Sequence, residues 1–543
     1  MAKDKEKEEA LKLQIGQEQI VHMKVAAQII QHLSKGIYSN PANCIKELIN
    51  NSFDADASKI IVRAKPEFDT FSITDDGDGM NYVDFSSRFL WISRSDKRDK
   101  GENTKKFKRP IIGKIGIGFI SVSEICDKMT VISSKRGEKF KFQAEIDFGK
   151  FKKTVHQKKD FYEISEVKLT NLEEKGDAHY TIILLNGLTK DFKELLEDKD
   201  IHEAGIKIAT FEGRKFEGII AEIEKRYLDT SKDIGGYWRL MLDVANTVPV
   251  PYLKEGPVKI KNPSWFKEES KSINNLKKSV NKLGFLVDFD GVIIKKPILL
   301  PGEKDIFNNK ESYDLYYFEE EFNDFPDGSK LKLRGYIYNQ ERQIFPPHLR
   351  GIVIRIKNTS IGGSDPDFLS YPYAEKLFLP WVFGEIYIDK GLEDAMNINR
   401  SSFIITHPHF RKLKNYLHTK LHAEVFPRCR VRYTERKEET EVTEKKSREE
   451  NIKGYLKDIF NKNFQIKPLD KTGKFPVDID IEKKEVLVFK GHPVFKKRKK
   501  KEKDLLEEVL ILFETSYHNA KGDLGKLKDY FINSLSEWAN LKK

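Results

Sequence analysis

The chain has 543 residues, beyond the length at which one hydrophobic core stops growing, so about two to four domains are expected. Apolar residues make up 39% and charged residues 34%, which excludes a disorder-dominated chain, and no run approaches the roughly 20 apolar residues that span a bilayer. The net charge of +12 favours polyanions such as DNA, although a long basic chain that is simply soluble has the same balance.

The N-terminal MAKDKEKEEALKLQ is charged where a secretory signal would be apolar, so a cytoplasmic protein with no membrane partner is expected. Residues 1–20 read as a charged leader, and Val21, Val25, Ile29, Ile30 and Leu33 then form one helical stripe. A helix should start at Asn40-Pro41, a favoured cap followed by a favoured first position, and run to about Asp56. KIIVRA and TFSITDD follow as a hairpin, with Ile60, Val62, Phe71 and Ile73 alternating across the turn-prone KPEFD. Residues 93–112 are polar and rich in Lys and Arg, the signature of a long mobile loop. GKIGIGF then opens into an apolar helix, FISVSEIC, and the strands MTVISS and FKFQAEI follow, with YTIILL closing an α+β sandwich. Residues 191–309 carry no decisive pattern and either complete the first domain or connect to the next.

A second α/β pattern spans 310–430, with strands at LKLRGYIYN, GIVIRIKN and FGEIYID and a helix at HFRKLKNYLHTKLHAEVF. Residues 431–450 are charged and suit an exposed helix or linker. The C-terminal region, 451–543, holds a basic tract at 496–503 and an amphipathic helix with Leu506, Val509, Leu510 and Phe513. Cys44, Cys126 and Cys429 lack paired spacing and read as buried thiols.

Three short segments carry chemistry. In ELINNSFDA, Glu47, Asn51 and Asp54 fall at i, i+4 and i+7 and share a helix face, leaving Ile45, Leu48, Ile49 and Phe53 to the core. A carboxylate and an amide one turn apart can activate a water and ligate Mg²⁺, and the same face can also be merely solvated. In DDGDGM, at a strand end, Asp75 can accept from an exocyclic amine while glycines let a flat ring approach, and an ordinary turn or calcium loop reads alike. In GKIGIGF, successive amides before a helix can hold phosphate oxygens with Lys114 nearby, or form a plain turn.

In this order and spacing the segments resemble the GHKL ATPases: gyrase B, the ninety-kilodalton heat-shock chaperone, histidine kinases, MutL and Morc proteins. ELINNSFDA resembles the N box, DDGDGM the first glycine box, GKIGIGF the second, and 93–112 the lid between them. The resemblance implies a Bergerat-type ATPase sandwich over 21–190, a transducer or middle-type second domain and a helical C-terminal region. It implies ATP and Mg²⁺ as ligands. It makes Glu47 the general base, Asn51 the Mg²⁺ ligand and Asp54 a support for that helix or for the magnesium water shell. Asp75 would read adenine, Gly79 and Met80 would floor its pocket, and Gly113, Lys114, Gly116, Ile117, Gly118 and Phe119 would wrap the phosphates. Thr181 resembles the family threonine beside the adenine, although the preceding family glycine is Tyr180 here. ISRSDKR resembles the chaperone lid and would bring Arg94, Ser95 or Lys97 to the nucleotide.

GLEDAMNINRSSF resembles the chaperone's middle-domain segment ending in Asn-x-x-Arg, so Arg400 would reach the γ-phosphate, with a packing or surface arginine as the alternative. The implied machine is a homodimeric clamp. Its partner would be DNA or a defence-system component, as in MutL and Morc proteins, or else a protein client, as for the chaperone. The tract Lys496–Lys503, with six Lys and one Arg in eight residues, inclines the reading to DNA, although such a tract is also often merely a flexible tail.

Overall fold

The computed structural model describes residues 41–86, 103–113, 120–148, 167–199, 215–230, 234–254, 256–258, 263–296, 313–344, 347–397 and 400–541. The expected leader and first helix lie outside these. The chain divides into two compact units, residues 1–429 and 430–543.

The first unit opens on helix α1 (Pro41–Asp54), which starts where proline's fixed φ suits the first turn. Ile45, Leu48, Ile49 and Phe53 are fully buried, as their spacing predicts. Strands β1 (Lys59–Lys65) and β2 (Thr70–Asp75) form the expected hairpin around a 3₁₀ turn at Pro66–Phe68. Their two-residue period sends Ile60, Val62, Phe71 and Ile73 to the core. Asp75 continues the same alternation, so the strand delivers a carboxylate into the apolar face.

β3 (Cys126–Ser134), β4 (Phe140–Asp147) and β6 (Tyr180–Leu188) are the predicted strands, and β5 (Lys168–Glu173) is an additional one. FISVSEIC is not the expected α-helix: its described part is a 3₁₀ helix, Ile120–Glu124, and strand begins at Cys126. Three helices follow, α2 (Lys190–Glu197), α3 (Phe216–Thr230) and α4 (Gly236–Thr247), then α5 (Lys267–Asn281). The short strands β7 (Leu286–Phe289) and β8 (Val292–Ile294) join the first sheet, β7 lying parallel to β1. The sheet thus has eight strands in the order β5-β4-β3-β6-β2-β1-β7-β8. Its core takes in Phe192, Trp238, Met241, Val287 and Phe289, so much of 191–309 is built into the first layer and α4 packs on α1.

A second sheet, ordered β12-β11-β13-β10-β9, contains β9 (Tyr313–Phe322), β10 (Leu331–Gln340), β11 (Gly351–Ile356), β12 (Thr359–Asp365) and β13 (Val382–Lys390). Helix α6 (Pro408–Lys420) covers it, with Leu413 and Leu417 in its core. A buried charge network ties this sheet to α4: Arg355 donates to Glu385 Oε1 at 2.7 Å and to the Asn246 carbonyl at 2.7 Å. Burial opposes ionisation of Glu385, but Arg355 and the hydroxyls of Tyr252 and Tyr336 hold its carboxyl below the ordinary range.

Helix α7 (Phe426–Phe460) leads into the second unit. There β14 (Gln465–Leu469), β15 (Val477–Asp480) and β16 (Glu485–Phe489) form a small sheet that the sequence reading did not anticipate. The expected C-terminal helix is α8 (Lys500–Ala520), followed by α9 (Leu524–Leu541). Its expected stripe is only half-buried, with Ile511 and Leu512 deepest and Phe513 exposed. All three cysteines are buried and none is in a disulfide, and burial pushes the Cys44 thiol up to about 12. Among the described residues, no helix is long and apolar enough to cross a membrane.

Candidate functional site

α1 presents Glu47, Asn51 and Asp54 along one face, which is buried at Glu47 and half-buried at Asn51 and Asp54. Glu47 is 7% exposed, and Arg400, from the loop before α6, is 6% exposed with its Nη1 3.6 Å from Glu47 Oε2. This excludes a surface arginine. Asn397 closes the turn that presents Arg400: its carbonyl accepts from the Arg400 amide at 2.9 Å, and its carboxamide donates to Ser402 Oγ at 2.7 Å. Arg400 itself takes a left-handed φ of 48°. Glu47 Oε1 and Arg400 Nη1 are buried without a hydrogen-bond partner among the described residues, so the pair can still accept and donate. Asn51 is half-buried, and its carboxamide has no side-chain partner among the described residues.

Asp54 holds backbone amides. Its two oxygens accept from the amides of Ile112 and Gly113, each at 2.8 Å, so it fixes the entry to the glycine loop. Gly113 is the only part of that loop within the described residues; Lys114, Gly116, Ile117, Gly118 and Phe119 lie outside them, as do Arg94, Ser95 and Lys97. The described end of the expected mobile lid is pinned rather than loose. Arg109 is buried, donates to the carbonyls of Ala57, Leu283 and Gly284 at 2.6, 2.7 and 2.8 Å, and lies 4.8 Å from the Phe53 ring centroid.

Asp75 sits at the buried end of β2. Ser52 Oγ donates to its Oδ2 at 2.7 Å and the Gly77 amide to its Oδ1 at 2.9 Å. Burial pushes its carboxyl up to about 6, against the pull of these donors. Thr181 is Asp75's register partner across β2 and β6. Its hydroxyl lies 3.0 Å from Ser133 Oγ, which donates to the Tyr180 carbonyl at 2.8 Å and accepts from the Met80 amide at 2.8 Å. Tyr180 is accommodated because alternation turns its side chain to the other face, where its hydroxyl donates to Glu174 at 2.7 Å. Gly79 is dictated by contact: φ is +67° and a Cβ would lie 1.8 Å from the Ser134 carbonyl oxygen. Ser52 and Ser133 were missed from sequence. Ser52 lies inside the helix motif, but an unpatterned serine carries no signal of its partner.

Residues 38–181 match the family described as Histidine kinase-, DNA gyrase B-, and HSP90-like ATPase. This segment is a GHKL-type module. The GHKL match takes in α1, both hairpin strands and β3 to β6 as far as Thr181, while Arg400 lies beyond it. A Herpetosiphon aurantiacus protein provisionally named as the type II restriction enzyme HgiDII is 34% identical over 108 residues, 20% of this chain and 17% of that one. Chaperone protein HtpG of Sulfurovum sp. (strain NBC37-1) is 27% identical over 198 residues, 32% of this chain and 29% of its own. HtpG of Rhodococcus jostii (strain RHA1) is 24% identical over 259 residues, 43% of this chain and 34% of its own. The chain therefore spans about a third or less of these curated relatives.

Proposed function

We propose that this chain binds ATP with Mg²⁺ at α1, the end of β2 and the glycine loop, and hydrolyses it. The observation that carries this is the buried meeting of Glu47 with Arg400. A carboxylate and a guanidinium with unused hydrogen-bonding capacity suit a water and a transferring phosphoryl group. Asp75 would accept from the adenine amine, Gly79 and Met80 would floor the base, and Thr181 with Ser133 would order a water beside it. Asn51 would hold Mg²⁺, which when bound offsets charge on the phosphate oxygens. Gly113, Lys114, Gly116, Ile117, Gly118 and Phe119 would supply phosphate contacts, with Ser95 and Lys97 from the lid.

Glu47 accepts a proton from the attacking water as its oxygen bonds to the γ-phosphorus and the bond to the bridging oxygen breaks, releasing ADP. Arg400 stabilises the charge that builds on the phosphoryl oxygens. To do so it must exchange the Glu47 carboxylate for phosphate, so nucleotide binding both recruits the arginine and releases the base.

The work this drives is read as a homodimeric clamp on DNA, in which the exposed basic tract Lys496–Lys503 contacts phosphates. A chaperone-type clamp on protein clients is the second reading, favoured by the similarity to HtpG. Phosphate release by the full chain, with Mg²⁺ and with EDTA, tests the core reading; no Mg²⁺-dependent release would remove it. Salt-sensitive stimulation by DNA supports the first partner, and suppressed aggregation of an unfolded protein supports the second.

A further inference from the structure

The turn between β11 and β12 meets the nucleotide module at two points. Lys357 Nζ donates to the Ile111 carbonyl at 2.7 Å, one residue before the amides that Asp54 holds. Thr359 Oγ1 donates to Asn50 Oδ1 on α1 at 3.4 Å, one turn along from Glu47. Lys357 and Asn358 take left-handed φ of 53° and 68°, the geometry of a tight two-residue hairpin turn. Arg355, two residues before Lys357, is clamped by Glu385 and Asn246, so the lysine projects from a fixed mount. On the same hairpin, Gly362 is what seats the Arg400 loop: a Cβ there would lie 2.2 Å from the Ser401 carbonyl oxygen.

We infer that Lys357 is a positioning residue for Arg400. Its bond to Ile111 registers the hairpin against the stretch that Asp54 of α1 holds, and the hairpin, through Gly362, carries the arginine to Glu47. Lys357 holds Ile111 rather than Glu47 or Arg400, so its effect is transmitted through the β11–β12 hairpin. This rests on the ATPase reading above and adds to it a residue outside the matched family segment.

The test is a double-mutant cycle between Lys357→Met and Arg400→Ala in the full chain. Lys357→Met should lower kcat by about 10-fold with the KM for ATP within about 2-fold, and Lys357→Arg, which keeps a donor for Ile111, should restore most of it. In the Arg400→Ala background, Lys357→Met should cost little more. Additive losses, an unchanged kcat or failure of the arginine variant to rescue would overturn the inference. The same cycle read on denaturant midpoints needs no turnover. A chain that does not hydrolyse ATP defeats the ATPase reading, whereas independent Lys357 and Arg400 effects on stability defeat this one alone.

Discussion

Arg400 and Glu47 lie 3.6 Å apart with both side chains nearly closed to solvent, so each charge depends on the other. Lys46, fully buried beside them, is pushed below its ordinary range by burial, partly offset by Glu47. Replacing Arg400 with Ala leaves a buried carboxylate short of its partner and should cost about 3 kcal/mol, the low end for a broken buried pair because Lys46 remains. Urea denaturation reads this. Arg400→Ala should also slow turnover while nucleotide affinity changes little, and normal turnover would return the arginine to a packing role.

Glu47→Ala should bind ATP but lose about 10²- to 10⁴-fold in hydrolysis, the usual contribution of a positioned base. Retained turnover in a phosphate-release assay would take that role from Glu47.

Asp75 makes opposite demands on stability and binding. Its carboxyl, raised from 3.8 to about 6 by burial, binds a proton more tightly folded than unfolded. It therefore favours folding at low pH, and that contribution is lost as pH rises through about 6. Asp75→Asn should remove this pH dependence while weakening adenine binding. Adenosine, which has no phosphate to titrate, should bind less well to the wild-type chain below pH about 6, because a charged acceptor holds an amine more strongly. Binding that is flat across this range would contradict the adenine assignment.

Gly79→Ala should lose nucleotide binding and fall in stability, since the left-handed φ and the Ser134 carbonyl both reject a side chain. A thermal melt with and without ATP checks both.

The parts legible in the sequence are those with local periodicity. The helix face of Glu47 and Asn51, the β1–β2 alternation that buries Asp75, and the apolar strands β10, β11 and β13 all follow from spacing. What escaped has no such period. β7 and β8 are four and three residues long, and β7 pairs with β1 across more than two hundred positions, so nothing local marks them. β9, YDLYYFEEEF, carries three glutamates in a row, and β12, TSIGGSD, is glycine-rich, so neither looks like a strand. Arg109 sits in a run of lysines indistinguishable by charge, yet it alone is buried under Phe53 and Phe107. Asp54 matched its motif, but only tertiary structure shows that its oxygens serve Ile112 and Gly113.

ATP hydrolysis here requires that α1 and the end of β2 make one site for adenine nucleotide. Calorimetric titration of Mg²⁺-ATP into the Glu47→Ala chain, where turnover is suppressed, addresses it directly. One ATP should bind per chain, and adding Asp75→Asn should weaken that binding. An absence of heat in the first titration, or unchanged affinity in the second, would contradict it.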